Sequence, residues 1–420
     1  MRSPIPAAGL LALTAFALTV SGCGGEVQPD APVLHWYVFR EGSGVFRTLA
    51  ERCSRQAGDR YRLEISALPV EADQQRTQLA RRLAARDPDI DVLAMDVIWV
   101  PEFAEAGWVL DWGGPEADRI RARSLPSAVE SSTWQGTLHA LPFTSNAQLL
   151  WYRTDLVEEP PRTWDRMIEE AEALADAGKP HRIQVQGARY EGLAVWFNSL
   201  LASAGGSVIA TETGSVDLPE EETKGAFRIM RRLATSVTAP SNLATATEDD
   251  GRLAFEAGTS AFMVNYTYVW PSARENAPEI ADAMGWARYP RVDPDRPSRV
   301  TVGGLNLGVG AYTRHPELAR EAARCLRSRE HQLLAAERGG LPPTLEALYA
   351  HPRIREAFPF AGTLRETLRA ASVRPQTPAY SDVSLAIQRT LHPVRSIRPE
   401  RDLETLRARI DDALQSRGLL

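Results

Sequence analysis

The alternation of short apolar strands with amphipathic helices near the start of the chain constrains the fold most. The predicted elements run strand, helix, strand, helix, strand over residues 33–39, 45–56, 62–68, 73–85 and 90–95. Strands and helices that alternate through short links build a parallel, doubly wound sheet. Ligands of such sheets bind beyond the carboxyl ends of the strands. Glu41 and Asp96 stand at two of those ends, so we expect both carboxylates to face one crevice.

A change of pattern between residues 141 and 156 (LPFTSNAQLLWYRTDL) divides the chain into two blocks. Pro142 lacks a backbone donor, which suits an edge strand or a crossover rather than a central strand. From Gln148 to Tyr152 the sequence turns apolar, which indicates a strand that enters a second core. Asn146 lies on the polar side of this change. We interpret the stretch as a hinge that also exposes an amide to a ligand cleft.

The N-terminus has the features of an export signal. Arg2 is followed by an apolar run of about 14 residues, Ala7 to Val20, which is too short for a membrane span. The residues that end it, VSGC at 20–23, resemble the lipobox of bacterial lipoproteins. We therefore predict that residues 1–22 are removed, that Cys23 carries a lipid, and that the protein is anchored on the extracytoplasmic face of the cell membrane. A plain secretory peptide or an anchoring helix is the alternative.

Charge and cysteine content exclude other classes. A formal charge of −6 with 24% charged residues gives no basic surface for nucleic acid. Cys53 and Cys325 remain in an oxidising setting, each on the apolar face of a predicted helix. We favour a disulfide between them, and two separate buried thiols are the alternative. There is no CxxC, and the seven histidines form no HExxH or paired-ligand spacing, so no metal or other cofactor is expected.

Seven segments, in order along the chain, resemble the substrate-binding lipoproteins of carbohydrate ABC importers. They are the lipobox and residues 103–108 (FAEAGW), 141–156, 190–206 (YEGLAVWFNSLLASAGG), 262–271 (FMVNYTYVWP), 302–309 (VGGLNLGV) and 374–384 (RPQTPAYSDVS). This is the maltose-binding-protein-like class of solute-binding proteins, and the chain is most similar to its LpqY-type trehalose-binding lipoproteins. The resemblance covers nearly the whole mature chain.

The resemblance implies a two-lobed periplasmic-binding-protein-like α/β fold. Each lobe is expected to hold a central sheet flanked by helices, with hinge crossovers and a ligand cleft between the lobes. The expected divisions are a signal peptide (1–22), a lipidated linker (23–31), an N-terminal lobe (31–141 and 305–345) and a C-terminal lobe (142–304 and 346–420).

The function implied is the capture of a disaccharide, trehalose or a related α-glucoside, by a lipid-anchored monomer. The monomer would deliver this carbohydrate to the permease subunits of an ABC transporter. Another solute is the alternative, such as maltose, a longer oligosaccharide or a glycerophosphodiester.

A sugar site needs carboxylates or amides, which can each take two hydroxyls, and an aromatic platform. The resemblance assigns ligand contacts to Asp96, Asn146 and Arg374. The residues alone also allow simpler interpretations, namely a turn or capping carboxylate for Asp96, a turn amide for Asn146 and a surface arginine for Arg374.

Further candidates have structural alternatives as well. Glu41 and Glu191 each precede or begin a predicted helix, where a carboxylate is stabilising in any case. Trp270 is the expected stacking platform or else a core tryptophan. Gly303 and Gly304 would allow close backbone approach to the ligand, or form a bulge or hinge. Tyr380 completes the candidate set.

A surface glycosidase is the remote alternative, with Asp96 and Glu191 as its acid and nucleophile. No hydrolase motif surrounds either residue. The chain also has no GxSxG, no P-loop and no dinucleotide-binding fingerprint. We therefore predict a binding protein rather than an enzyme.

Overall fold

The computed structural model describes residues 31–69 and 71–416. The predicted signal peptide and the lipidated Cys23 lie outside these residues. The strands are β1 (Val33–Phe39), β2 (Arg62–Leu68), β3 (Val92–Asp96), β4 (Thr133–Trp134), β5 (Thr137–Leu138), β6 (Leu141–Asn146), β7 (Leu149–Arg153), β8 (Arg182–Gln184), β9 (Ser260–Asn265), β10 (Met284–Ala287) and β11 (Gly303–Val309).

The helices pack around these strands. They are α1 (Val45–Ala57), α2 (Ala72–Ala84), α3 (Val100–Glu105), α4 (Gly114–Arg123), α5 (Pro126–Glu130), α6 (Trp164–Asp176), α7 (Glu191–Ala204), α8 (Glu220–Thr235), α9 (Glu248–Glu256), α10 (Val269–Asn276), α11 (Pro278–Asp282), α12 (Pro316–Leu326), α13 (Arg329–Gly339), α14 (Pro352–Ala357), α15 (Ala361–Ala370), α16 (Tyr380–Leu391) and α17 (Pro399–Leu414). Short 3-10 turns occupy Leu243–Thr245, Glu346–Ala350 and Val394–Ser396.

The first lobe is built on a five-stranded sheet of order β2-β1-β3-β11-β6. Strands β1, β2 and β3 are parallel, as their alternation with helices predicts. Strand β11 runs antiparallel to both β3 and β6, so the sheet is mixed rather than wholly parallel. Strand β6 lies at the sheet edge, where the missing donor of Pro142 leaves no central ladder bond unmade.

The second lobe is built on a four-stranded sheet of order β10-β7-β9-β8. The chain leaves the first sheet at Asn146 and enters the second at Leu149, as the change to apolar residues at this point of the sequence predicts. The two sheets have separate cores, one containing Trp36, Phe46 and Phe143 and the other Trp151 and Trp164. The two-lobed α/β fold expected from the sequence is therefore confirmed.

Strand ends carry polar residues towards the junction of the lobes. Asp96 ends β3, Asn146 ends β6 and Asn265 ends β9, while Gly303 begins β11 directly opposite Asn146. Polar side chains that could bind a ligand are therefore concentrated at these strand ends.

A disulfide joins α1 to α12 in the first lobe. The sulfurs of Cys53 and Cys325 are bonded, and their Cα atoms lie 5.9 Å apart. The imidazole Nδ1 of the buried His331 lies 3.6 Å from the sulfur of Cys53. This link joins two residues that are 272 positions apart in the sequence, and the whole second sheet lies between them.

None of the helices within residues 31–69 and 71–416 combines the length and the apolar character that crossing a membrane requires.

Candidate functional site

A buried guanidinium joins two carboxylates that come from different lobes. Arg374 Nη1 donates to Glu191 Oε1 at 2.5 Å, and Nη2 lies 3.4 Å from Asp96 Oδ1. The Arg374 side chain is only 4% exposed, and those of Glu191 and Asp96 are 14% and 25% exposed. Burial alone would lower the pKa of Arg374, but Tyr380, Asp96 and Glu191 raise it above its ordinary value. The cation is therefore permanent, and it fixes both carboxylates.

Glu191 begins α7, and both of its oxygens are bound. Oε1 also accepts from the hydroxyl of Tyr380, and Oε2 accepts from the hydroxyl of Ser384. Tyr380 and Ser384 lie one turn apart on α16, so a single carboxylate ties α7, α16 and the Arg374 loop together. Hydrogen bonds to charged groups are strong in a buried setting. Glu191 is therefore held in a fixed position on the second-lobe side of the site.

Asp96 keeps an oxygen available for a ligand. Its Oδ1 accepts from the backbone N–H of Ile98 at 3.2 Å and faces Arg374. All the hydrogen bonds that the described residues make to this carboxylate go to Oδ1. Burial raises the pKa of Asp96 above its ordinary value, the Arg374 charge lowers it and the Glu191 charge raises it. Oδ2 is thus the oxygen that can accept hydroxyls.

Asn146 presents a second unused acceptor. Its Oδ1 is buried and has no hydrogen-bond partner among the described residues. An added Cβ on Gly303 would lie 2.4 Å from this oxygen and 3.8 Å from the ring of Tyr266. Gly303 is therefore the residue that leaves room for the amide. A buried acceptor without a donor costs about 1–3 kcal/mol, which a ligand hydroxyl would recover.

Gly304 connects this amide to Asp96. Its carbonyl accepts from the N–H of Val97 at 3.3 Å, immediately after Asp96. Its φ is +127°, and an added Cβ would lie 2.2 Å from the carbonyl oxygen of Thr144. The Gly303-Gly304 pair thus brings the ends of β3 and β6 together at the floor of the site.

The structure gives Glu41 and Trp270 other contacts. The Glu41 carboxylate accepts from the backbone N–H groups of Ser43 at 2.6 Å and Phe46 at 3.2 Å, at the start of α1. The Trp270 ring packs edge-on against Trp286 and Phe360, with centroids 5.6 and 6.2 Å away. Glu41 therefore stabilises the start of a helix, and Trp270 packs against the core. These are the alternatives to ligand binding given above for the two residues. The described contacts of neither side chain reach the Arg374 cluster.

Sequence reasoning missed Tyr266 and Ser384. The Tyr266 ring lies 3.8 Å from the position of an added Cβ on Gly303, opposite Asn146. Burial raises the pKa of Tyr266 and the charge of Glu248 raises it further, whereas the charge of Arg374 lowers it. Tyr266 directly follows the end of β9, and the rule that selected Asp96 at the end of β3 would have selected it. Ser384 lies four residues after Tyr380 on α16, which a helical-face argument would have found.

Comparison with known proteins decides the family. Residues 62–333 match the family described as bacterial extracellular solute-binding protein. The chain belongs to this family. It is a family of solute-binding proteins and not of enzymes, which agrees with a site made of hydrogen-bonding groups held on a buried arginine.

Three individual proteins illustrate the similarity. A Deinococcus radiodurans protein named "Probable ABC transporter-binding protein" is 28% identical over 358 residues, covering 82% of this chain and 84% of the relative. The "Mannitol-binding protein" of Pseudomonas aeruginosa is 26% identical, covering 73% and 72% of the two chains. The solved structure "Maltose bound T. maritima MalE3" superposes with a TM-score of 0.82 at 31% identity. The superposition covers 90% of this solute-binding protein and 98% of the MalE3 chain.

Proposed function

We propose that this solute-binding protein captures a disaccharide, trehalose or a related α-glucoside, and delivers it to an ABC importer. One observation carries the proposal. Asp96 and Glu191 from the two lobes share the buried Arg374, and the unpartnered amide oxygen of Asn146 lies two strands from Asp96 at the same end of the sheet. Carboxylates and amides fixed in this way are the groups that bind sugar hydroxyls.

The balance of charge favours a neutral ligand over a phosphodiester. Arg374 is the cation of the cluster, and both of its bonded partners are carboxylates. A glycerophosphodiester would bring another negative charge to a group whose cation, Arg374, already pairs with two carboxylates.

The proposed lobes comprise residues 31–141 with 305–345 and residues 142–304 with 346–420. Strand β6 crosses the first of these boundaries, since it pairs in the five-stranded sheet as far as Asn146. Closure of the lobes by a hinge at these crossings would bring Asn146, Asp96 and Arg374 around the ligand.

We propose that the protein is a monomer and that a lipid on Cys23 holds it to the extracytoplasmic face of the membrane. The lipobox-like residues 20–23 support this anchor. Its partners would be the permease subunits of the importer.

Maltose is the second candidate ligand. The observation in its favour is the maltose-bound structure that is 31% identical over nearly its whole length. Trehalose and maltose share the α-glucosyl ring and differ in the position of the linkage, so one hydroxyl-binding site could take either.

Calorimetric titration with trehalose, maltose, sucrose and glycerophosphocholine tests the proposal. We expect trehalose to bind most tightly and glycerophosphocholine to give no heat. Asp96→Ala, Asn146→Ala and Arg374→Ala should each weaken binding by at least about 1–3 kcal/mol, because each leaves a polar partner unpaired.

Arg353→Ala is the matched control, since Arg353 also pairs with two glutamates, Glu330 and Glu337, but does so on the surface. Its affinity should equal that of the wild type. Tight binding of glycerophosphocholine without trehalose would refute the ligand assignment. Wild-type affinity in all three site variants would refute the site. Sugar cleavage during prolonged incubation would point to the glycosidase.

A further inference from the structure

A cavity on the second lobe lies beside the end of β10, and its residues take no part in the candidate sugar site. They come from residues 159–162, before α6, and from the segment 287–298, at and after the end of β10. The volume of this β10 cavity is about 440 Å³. Small-molecule sites typically measure about 300–1,000 Å³, so the cavity has room for a small ligand.

The charges around the β10 cavity are mainly positive, although the formal charge of the whole chain is −6. Arg162, Arg288 and Arg291 line the cavity, and Glu159 is the only acidic residue among its described lining residues. Within residues 31–69 and 71–416, none of the three arginines forms an ion pair. Their charges are therefore not neutralised locally, and the cavity attracts anions.

Arg288 and Arg291 have neutral partners instead. Arg288 Nη2 donates to the carbonyl of Ser298 at 3.1 Å, and Arg291 Nη1 donates to the carbonyl of Pro294 at 2.7 Å. Both carbonyls belong to the loop between β10 and β11, so both side chains help to hold that loop. A guanidinium has five N–H groups, and holding a carbonyl uses one of them and requires no full charge. The loop alone therefore does not account for two arginines.

The surroundings of Arg288 favour a bound anion. The residue is half-buried, and its Nε is buried without a hydrogen-bond partner among the described residues. A charged group that loses water is unfavourable unless an opposite charge or enough hydrogen bonds replace that water. The carbonyl of Ser298 is the only partner that the described residues offer to this guanidinium. An anion in the β10 cavity would supply the missing charge.

The remaining lining residues indicate which anion fits. Pro160, Pro161 and Pro297 contribute rigid apolar surface without backbone donors. A phosphate monoester carries about two negative charges and three terminal oxygens, and arginine forks match such oxygens in pairs. Its small organic part would lie against the prolines. Glycerophosphocholine matches the cavity less well, because the single charge of its diester is balanced by its own choline.

We propose that the β10 cavity is a second binding site, which takes a phosphate monoester whose phosphate group is held by Arg162, Arg288 and Arg291. The site is separate from the sugar site and does not depend on the proposed function. The phosphate monoester is a free small molecule or the headgroup of phosphatidic acid, since both present the same group.

Calorimetric titration with glycerol 3-phosphate, in a buffer without phosphate, tests the proposal, and glycerol is the neutral control ligand. We expect glycerol 3-phosphate to bind, glycerol to give no heat, and the affinity to fall as salt is added. Arg288→Gln and Arg162→Gln should each lower the affinity at least tenfold. The Arg162 side chain makes no hydrogen bond or ion pair with the described residues, so Arg162→Gln should unfold as the wild type does. Both variants should bind trehalose as the wild type does.

Arg166→Gln is the matched control. Arg166 lies four residues after Arg162, but it does not line the β10 cavity and it pairs with Glu170 at 2.7 Å. Its affinity for glycerol 3-phosphate should equal that of the wild type. An equal loss in Arg166→Gln and Arg162→Gln would assign the effect to general surface charge and overturn the inference.

Sedimentation with phosphatidylcholine vesicles that contain phosphatidic acid distinguishes the two sources of the phosphate group. The wild type and Arg162→Gln have the same N-terminus, so a difference between them reports the β10 cavity. Weaker sedimentation of Arg162→Gln, without binding of glycerol 3-phosphate to the wild type, would assign the site to the headgroup. Absence of both signals, or wild-type behaviour of Arg162→Gln and Arg288→Gln with both probes, would overturn this inference. Either result would leave the proposed function standing, because that function is tested by trehalose binding.

Discussion

Arg374 shows how much one buried side chain organises here. Its guanidinium reaches Asp96 and Glu191 at once, and the guanidinium carbon lies 5.9 Å from the centroid of the Tyr380 ring. A lysine would keep the charge but would lack the planar fork that meets two carboxylates in fixed directions. The arginine therefore positions Asp96 and Glu191, and on the proposed function Asp96 Oδ2 and Asn146 Oδ1 are the oxygens left for the ligand.

His331 predicts a measurable pH dependence of stability. The residue is 0% exposed, and burial lowers the pKa of its imidazole below the ordinary value. As the pH falls below about 6.5, the unfolded chain binds a proton that the folded chain does not. The free energy of unfolding should therefore decrease from pH 6.5 downward, until the pH passes the pKa of the folded state.

Urea unfolding of the wild type and of His331→Gln at several pH values between 7.5 and 5 measures this contribution. The variant should lose stability more slowly on acidification, and the difference in slope is at most about 1.4 kcal/mol per pH unit for one proton. Equal slopes in the two proteins would show that His331 takes up its proton without unfolding.

At the scale of elements, the contact between β6 and β11 depends on two adjacent glycines with different roles. Gly304 has φ +127°, and a methyl group there would meet the backbone of Thr144, which cannot move aside. Gly304→Ala should lower the free energy of unfolding by at least about 1–3 kcal/mol. A methyl group on Gly303 would instead meet the Asn146 side chain. Gly303→Ala should cost little stability but should weaken ligand binding at least tenfold.

Urea denaturation together with calorimetric titration separates the two effects, and each variant serves as the control of the other. Wild-type stability in Gly304→Ala would contradict the strained contact. Wild-type affinity in Gly303→Ala would contradict the role of the Asn146 amide.

Sequence patterns predicted the elements whose causes are local. The parallel order of β1 to β3 follows from their connections, and the edge position of β6 follows from Pro142. The insertion of β11 between β3 and β6 depends on a return of the chain after about 150 residues, and no local pattern encodes it. Glu41 follows a strand and Asp96 ends one, and only the packed structure shows that Glu41 binds its own turn while Asp96 faces Arg374.

For the molecule as a whole, the contacts between the lobes include the buried ion pair of the candidate site, so ligand binding and lobe closure should be coupled. Asp96 lies in the first lobe, whereas Glu191 and Arg374 lie in the second. The ion pair between Arg374 and Asp96 therefore joins the two lobes directly. A ligand that forms hydrogen bonds with both lobes would strengthen this connection between them. On the proposed function, coupling of this kind would let the permease distinguish the closed, loaded form from the open one.

Membrane attachment should depend on Cys23 alone and should be separable from sugar binding. The linker between Cys23 and the first strand, which begins at Val33, is polar, so an added lipid is expected to be the only membrane contact in this part of the chain. In a bacterial host, the wild type should incorporate labelled palmitate and partition into detergent. Cys23→Ala cannot be acylated, so a Cys23→Ala chain from which residues 1–22 have been removed should remain in the aqueous phase. Purified Cys23→Ala should bind trehalose with wild-type affinity, since the site lies wholly within the lobes. Detergent partitioning of Cys23→Ala, with a mass that includes residues 1–22, would show that an uncleaved apolar segment is the anchor instead.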